Sequence, residues 1–150
     1  MNCKDLMLGN WVYDGDITKF PMYVVTVGND YVYLNFEGNE GDVWECLDDD
    51  ITPIPVTADI LKRIGFREKK GIYPRTFYRY FDEEYRYKLD VDPVFCNSDR
   101  KWGIHIDNGD CCTIGSGEFT YVHELQNLVR CISGHSLPIT KEMIYGNTNE

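Results

Sequence analysis

Residues 22–36, MYVVTVGNDYVYLNF, decide how the first third of the chain is read. Two runs rich in β-branched and aromatic residues flank Gly28-Asn29-Asp30, and glycine and asparagine tolerate the positive φ that a tight hairpin turn requires. Upstream, LMLGNWVYDGD (6–16) gives a short strand ending in an Asp-Gly turn. Downstream, the turn EGNEGD (37–42) leads into VWECL (43–47). Four short strands joined by tight turns suit a small, strongly bent β-barrel of SH3-like type over residues 1–56. Asp48-Asp49-Asp50 closes it as a solvated loop, since a cation site needs further oxygen ligands converging from elsewhere.

The segment ITPIPVTADILKRIGF (51–66) predicts a rigid connector entering a short helix over 57–65. Pro53 and Pro55 keep the chain extended, Thr57 is placed as N-cap, and Gly65 is placed for the left-handed position that ends a helix. Beyond it the period changes to two. IYPRTFYRYF (72–81) and EYRYKLDV (84–91) form a hairpin with Tyr85, Tyr87, Leu89 and Val91 on one face and Arg86, Lys88 and Asp90 on the other. KWGIHI (101–106) and CCTI (111–114) form a second hairpin. GSGEF (115–119) is a plain turn, without the lysine and spacing of a phosphate loop.

In YVHELQNL (121–128) and the residues after it, Val122, Leu125, Val129 and Ile132 make the apolar stripe of a helix over 121–133, closed by Gly134. His123, Asn127 and Arg130 then share a face that is wet or meets a partner. HSLPIT (135–140) is expected to add an edge strand before a polar tail. The resulting class is α+β: an SH3-like small β-barrel (1–56) packed with an antiparallel β-sheet and two helices (57–150).

These segments, in the order LGNWV, PIPVTADILKRIGF, WGIHIDN and YVHELQNL, carry a likeness. The chain resembles a family of small uncharacterised proteins encoded by Bacteroidales genomes, commonly in prophage or other mobile-element regions. The resemblance implies a bacterial or phage cytoplasmic origin. It carries no established activity and no functional residue to this chain.

Composition excludes several function classes. The chain has 150 residues, 43% hydrophobic and 14% aromatic, enough for one compact domain or two small subdomains. No apolar run approaches the roughly 20 residues of a membrane span, and the N-terminus lacks the apolar segment of a signal peptide. A cytoplasmic location follows as an expectation, with the six cysteines kept as thiols. The net charge of −10 opposes binding to duplex nucleic acid, whose phosphates must be neutralised by Lys and Arg. That charge is uneven. Residues 1–56 carry two lysines against eleven acidic residues, whereas residues 57–91 carry nine basic side chains against six acidic ones.

Three chemistries compete. HELQN (123–127) begins like the helical zinc motif H-E-x-x-H, but Asn127 stands where the second histidine must be, so His123 and Glu124 lose that role. His105 with Cys111 and Cys112 lacks a fourth zinc ligand, and adjacent strand residues point to opposite faces. No cysteine–histidine pair lies in a context that lowers a thiol pKa. A hydrolase using His105 or His123 is therefore the weakest reading, and neither metal nor cofactor is expected. The basic island is the candidate binding surface: Arg75, Phe77, Arg79, Tyr85, Arg86, Tyr87 and Lys88. Aromatics that stack bases beside cations that hold phosphates suit a nucleotide or single-stranded nucleic acid. The preferred reading is nonetheless a non-enzymatic accessory or host-interaction protein that binds another protein. The alternative is a nucleotide or nucleic-acid binder, including an anti-defence protein that sequesters a signalling nucleotide.

Overall fold

The computed structural model describes residues 1–15, 19–39, 41–71, 75–81, 86–94, 101–109 and 112–146. The architecture is α+β, with two five-stranded antiparallel sheets and three α-helices among the described residues. The chain divides into two compact units. The first comprises residues 1–55, 121–123 and 139–150; the second comprises 56–120 and 124–138.

In the first unit the strands are β1 (Trp11–Asp14), β2 (Phe20–Val27), β3 (Tyr31–Asn35), β4 (Trp44–Leu47) and β5 (Ile51–Thr52), in the order β4-β3-β2-β1-β5. Each neighbour is antiparallel, and a register shift between Val24 and Thr26 bends β2. The inward positions Val12, Met22, Val24, Val32, Leu34 and Cys46 bury together with Cys3, Leu6 and Ile51. The fifth strand was not expected, because it is two residues long and follows an acidic run. That run is exposed, as expected of a solvated segment, but it forms a 3-10 turn, Asp48–Asp50. Asp48 Oδ1 accepts from Cys3 N at 2.7 Å and Asp50 Oδ2 accepts from Leu47 N at 2.9 Å. Hydrogen bonds from the Cys3 thiol and main chain hold the Asp48 carboxyl below its usual range.

Helix α3 (Lys141–Tyr145) corrects the expected tail. Residues 135–140 form no strand. Thr140 instead caps a helix, its Oγ1 accepting from Met143 N at 3.4 Å, and Ile144 buries one face of it. The Tyr145 hydroxyl donates to Lys19 O at 2.5 Å, and Lys141 Nζ lies 4.8 Å from the Phe20 ring centroid.

In the second unit α1 (Ala58–Ile64) has the expected ends. Thr57 Oγ1 accepts from Ile60 N at 3.2 Å. Gly65 stands at φ 110, with Gly65 N donating to Lys62 O and Phe66 N to Leu61 O. The sheet order is β10-β9-β8-β7-β6, from β6 (Arg67–Glu68), β7 (Phe77–Tyr80), β8 (Tyr87–Val94), β9 (Lys101–Asn108) and β10 (Thr113–Phe119). One face carries Phe77, Leu89, Val91, Ile104 and Ile106, all buried. GSGEF belongs to β10 and is not a turn. A Cβ on Gly115 would stand 2.6 Å from Ile132 Cγ2, and one on Gly117 2.6 Å from Leu128 Cδ2, so these glycines let the long helix lie close.

That helix is α2 (Val122–Ser133). Val122, Leu125 and Val129 are fully buried, as the stripe requires. His123 is a correction: it is 5% exposed rather than on a wet face. Its ring stacks on Tyr121 at 5.9 Å and 9°, so local aromatic packing extends the buried arc beyond the apolar stripe.

Candidate binding surface

The period-two alternation of β7 and β8 divides the basic island between two faces of its sheet. Phe77 and Arg79 point to the face that carries the buried core. Tyr78, Lys88 and Asp90 point to the other face, where His105 is the register partner of Asp90. Phe77 is fully buried and packs edge-on against Trp102, so it belongs to the core. Arg79 runs under α1 and donates from Nη1 to Ile64 O at 3.0 Å, a cation at a helix C-terminus. Burial lowers its pKa below the usual arginine value.

Arg75 is held by Glu68, with Nε–Oε1 at 2.6 Å and Nη2–Oε2 at 2.9 Å. This two-point contact, with Lys62 nearby at 3.4 Å, pulls the Glu68 carboxyl down to about 2. Tyr87 is half-buried, 5.6 Å from the His135 ring. Arg86 is exposed, and its main chain runs beside Gly109. Tyr85 lies outside the described residues, as do Cys96 and Cys111.

The centre of the second face is Asp90, whose side chain is 5% exposed. Lys69 Nζ lies 2.9 Å from its Oδ1, Lys88 Nζ 3.5 Å from Oδ1, and His105 Nε2 3.5 Å from Oδ2. The same two ammonium groups approach the Tyr78 ring at 6.0 and 5.6 Å. A buried carboxylate on a strand must be compensated, and here two lysines do so, with the His105 ring beside them. The alternation of β8 places Lys88 and Asp90 on one face, as expected, but the Lys69–Asp90 pairing was not legible, because it spans 21 residues and depends on strand register.

His105 meets the carboxylates of Asp90 and Asp107, while Cys111 of the candidate thiol set lies outside the described residues. Ligand atoms of Asp90, His105 and Asp107 lie within 4.8 Å of one another, a spacing that a divalent cation accepts. The donor set fits such an ion poorly, since Asp90 already bears two ammonium groups and Asp107 Oδ1 accepts from Thr113 at 2.8 Å. A dication placed there would stand beside two fixed positive charges. A nucleophile relay would need a hydroxyl or thiol held by the imidazole. Ser116 is the register partner of His105 on β10, but among the described residues its hydroxyl makes no hydrogen bond to that imidazole. The buried thiols are equally unsuited, because burial pushes Cys3 up to about 12 and Cys46 up to about 11.

Among the described residues, an exposed apolar group lies in the first unit around β4. Val43, Trp44 and Leu47 are 42%, 46% and 53% exposed, and Tyr31 opposite Leu47 is 36% exposed. On the face of Tyr31 and Leu47, opposite to Trp44, the Tyr33 hydroxyl donates to Glu45 Oε2 at 2.9 Å, which raises the Tyr33 pKa. Apolar and aromatic groups thus stand in water within the most acidic part of the chain. No protein family, curated protein or solved structure matches the chain.

Proposed function

We propose that this is a non-enzymatic accessory or host-interaction protein that acts in a bacterial cytoplasm by binding another protein. The acidic first unit, an SH3-like small barrel, supplies the contact face. The mobile-element setting comes from the Bacteroidales sequence likeness. The barrel reading is supported by five short strands in which β1 lies between β2 and β5, and by the register shift that bends β2.

The observation that carries this reading is the exposed group Val43, Trp44 and Leu47 within a segment of net charge −9. Leu47 and Tyr31 stand on one face of the sheet and Trp44 on the other, so exposed apolar side chains flank β4 on both sides. Exposed apolar and aromatic side chains of this kind are enriched at interaction surfaces. The island offers less. Arg75 and Arg79 are committed to Glu68 and Ile64, and Lys69 and Lys88 to Asp90. A phosphate would have to compete with each of these contacts.

A second reading, a site for a small anionic nucleotide, rests on Lys69 and Lys88 flanking the Tyr78 ring. Native mass spectrometry of the protein from its own host separates the two. A retained protein subunit, lost on Trp44→Ala and kept on Lys69→Glu/Lys88→Glu, supports protein binding. A retained nucleotide, lost on the lysine changes, contradicts it.

A further inference from the structure

Strand β4 ends its sheet, and among the described residues no strand pairs with its outer edge. Hydrogen-bond alternation fixes which of its main-chain groups face outward. Tyr31 O accepts from Gly28 N at 2.8 Å, so Tyr31 and Tyr33 turn their main chain toward β2, while Val32 and Leu34 turn theirs toward β4. The hydrogen-bonded partners of β3 on β4 are then Cys46 and Trp44, which leaves Glu45 with its N–H and C=O directed outward. Leu47 points the same way, but its N–H is occupied by Asp50 Oδ2 at 2.9 Å. The edge is therefore blunted at one end and open at Glu45. The approach to it is braced, because Asn39 Nδ2 donates to Asn35 Oδ1 at 2.7 Å and to Asp42 O at 3.1 Å.

We propose that the β4 edge receives an extended, basic segment of a partner protein as a sixth strand, paired through the Glu45 main chain. This rests on the protein-binding reading above and names the partner's chemistry. β4 is short and carries Glu45, both of which protect natural edges, but among the described residues it has no lysine, proline or covering strand, and it presents Trp44 and Leu47. Strand addition draws affinity from the main chain and specificity from alternate side chains. On one face the added strand lies beside Trp44, which packs 5.3 Å from Phe36. On the other it lies beside Glu45 and Tyr33. Charge selects the occupant. A segment of net charge −9 repels both a second copy of itself and nucleic acid, and it attracts a basic strand.

The test titrates the intact protein with a capped ten-residue peptide alternating lysine and valine, and with its glutamate–valine twin. Amide hydrogen exchange is followed by NMR. The lysine peptide is expected to bind, to slow exchange at Glu45 about tenfold or more, and to weaken as salt rises. The glutamate twin is expected not to bind. Glu45→Pro removes the outward N–H at an edge position that tolerates proline, and should weaken binding about tenfold or more. Glu45→Gln keeps the N–H and should weaken it less. Exchange at Glu45 in the unaltered protein gives the answer even if the proline variant fails to fold. Lysine-peptide binding without protection of Glu45, or undiminished in a folded Glu45→Pro variant, overturns strand addition and leaves the protein-binding reading standing. Binding by neither peptide also overturns the inference, and a dimer in sedimentation with Glu45 protected would then assign the edge to a second copy.

Discussion

The ammonium of Lys69 lies 2.9 Å from the carboxylate of Asp90, which is the most enclosed charge on the polar face of the second sheet. Asp90→Asn keeps the shape and removes the charge that holds Lys69 and Lys88. With the lysines about one-third exposed, the loss should be about 1–3 kcal/mol in urea denaturation. Lys69→Met should cost less, because Lys88 remains beside the carboxylate. A larger loss for Lys69→Met than for Asp90→Asn would show that Asp90 is not the centre of the cluster.

Arg79 is a packing residue in this account. Its guanidinium contacts Ile64 O and lies 3.6 Å from where a Cβ on Gly65 would stand. Arg79→Ala should destabilise the protein by about 1–3 kcal/mol, through the lost hydrogen bond and the lost cover over α1. Arg86→Ala, at an exposed position, should cost under about 0.5 kcal/mol. Equal losses in thermal unfolding would contradict this placement.

Glu68 supplies a pH signature. Its carboxyl is held at about 2 in the fold against an ordinary 4.5. A depressed pKa stabilises the fold above the unfolded value, and that contribution is lost as pH falls from about 4.5 to about 2. Carboxyl NMR titration should place the Glu68 midpoint near 2. Arg75→Gln should raise it, with Lys62 alone holding part of the shift. An unchanged midpoint in Arg75→Gln would refute the two-point contact.

Helix α2 allows two comparisons. Leu125, fully buried, should lose about 2–5 kcal/mol on change to alanine, and His123→Ala should lose about 1–3 kcal/mol because its stacked ring is buried. Gly115→Ala should be worse than Gly117→Ala. The first meets two atoms bonded directly to the Cβ of Ile132, which is stiff in a helix, whereas the second meets the end of Leu128, which can rotate. Calorimetric melting temperatures in the reverse order would contradict the close approach.

Much of this fold is legible locally. Turn glycines and alternation mark β2, β3 and the β7–β8 pair, and Thr57, Gly65 and Phe66 mark both ends of α1, because these signals lie within a few residues of their effects. What escaped is longer in range or shorter in length. β5 is two residues long and pairs with β1 through Asp14–Ile51 and Tyr13–Thr52, partners far apart in sequence. Gly115 and Gly117 resemble turn residues until a helix is laid over them. The island looked contiguous because aromatics and cations alternate, yet that same alternation sends Arg79 and Lys88 to opposite faces. The β4 edge was legible only as acidity, since exposure at Trp44 and Leu47 follows from the strand order.

The most direct test of the central claim, that the contact face is the acidic β4 edge and not the basic island, is a residue-resolved NMR titration at low salt. Mono-, di- and cyclic nucleotides are added to one sample and the lysine–valine peptide to another. The account predicts that the peptide moves the signals of Val43, Glu45 and Leu47, while nucleotides leave Lys69, Tyr78 and Lys88 in place. Submicromolar nucleotide binding that moves Tyr78 and disappears in Lys69→Glu/Lys88→Glu, with β4 unmoved by the peptide, would contradict it.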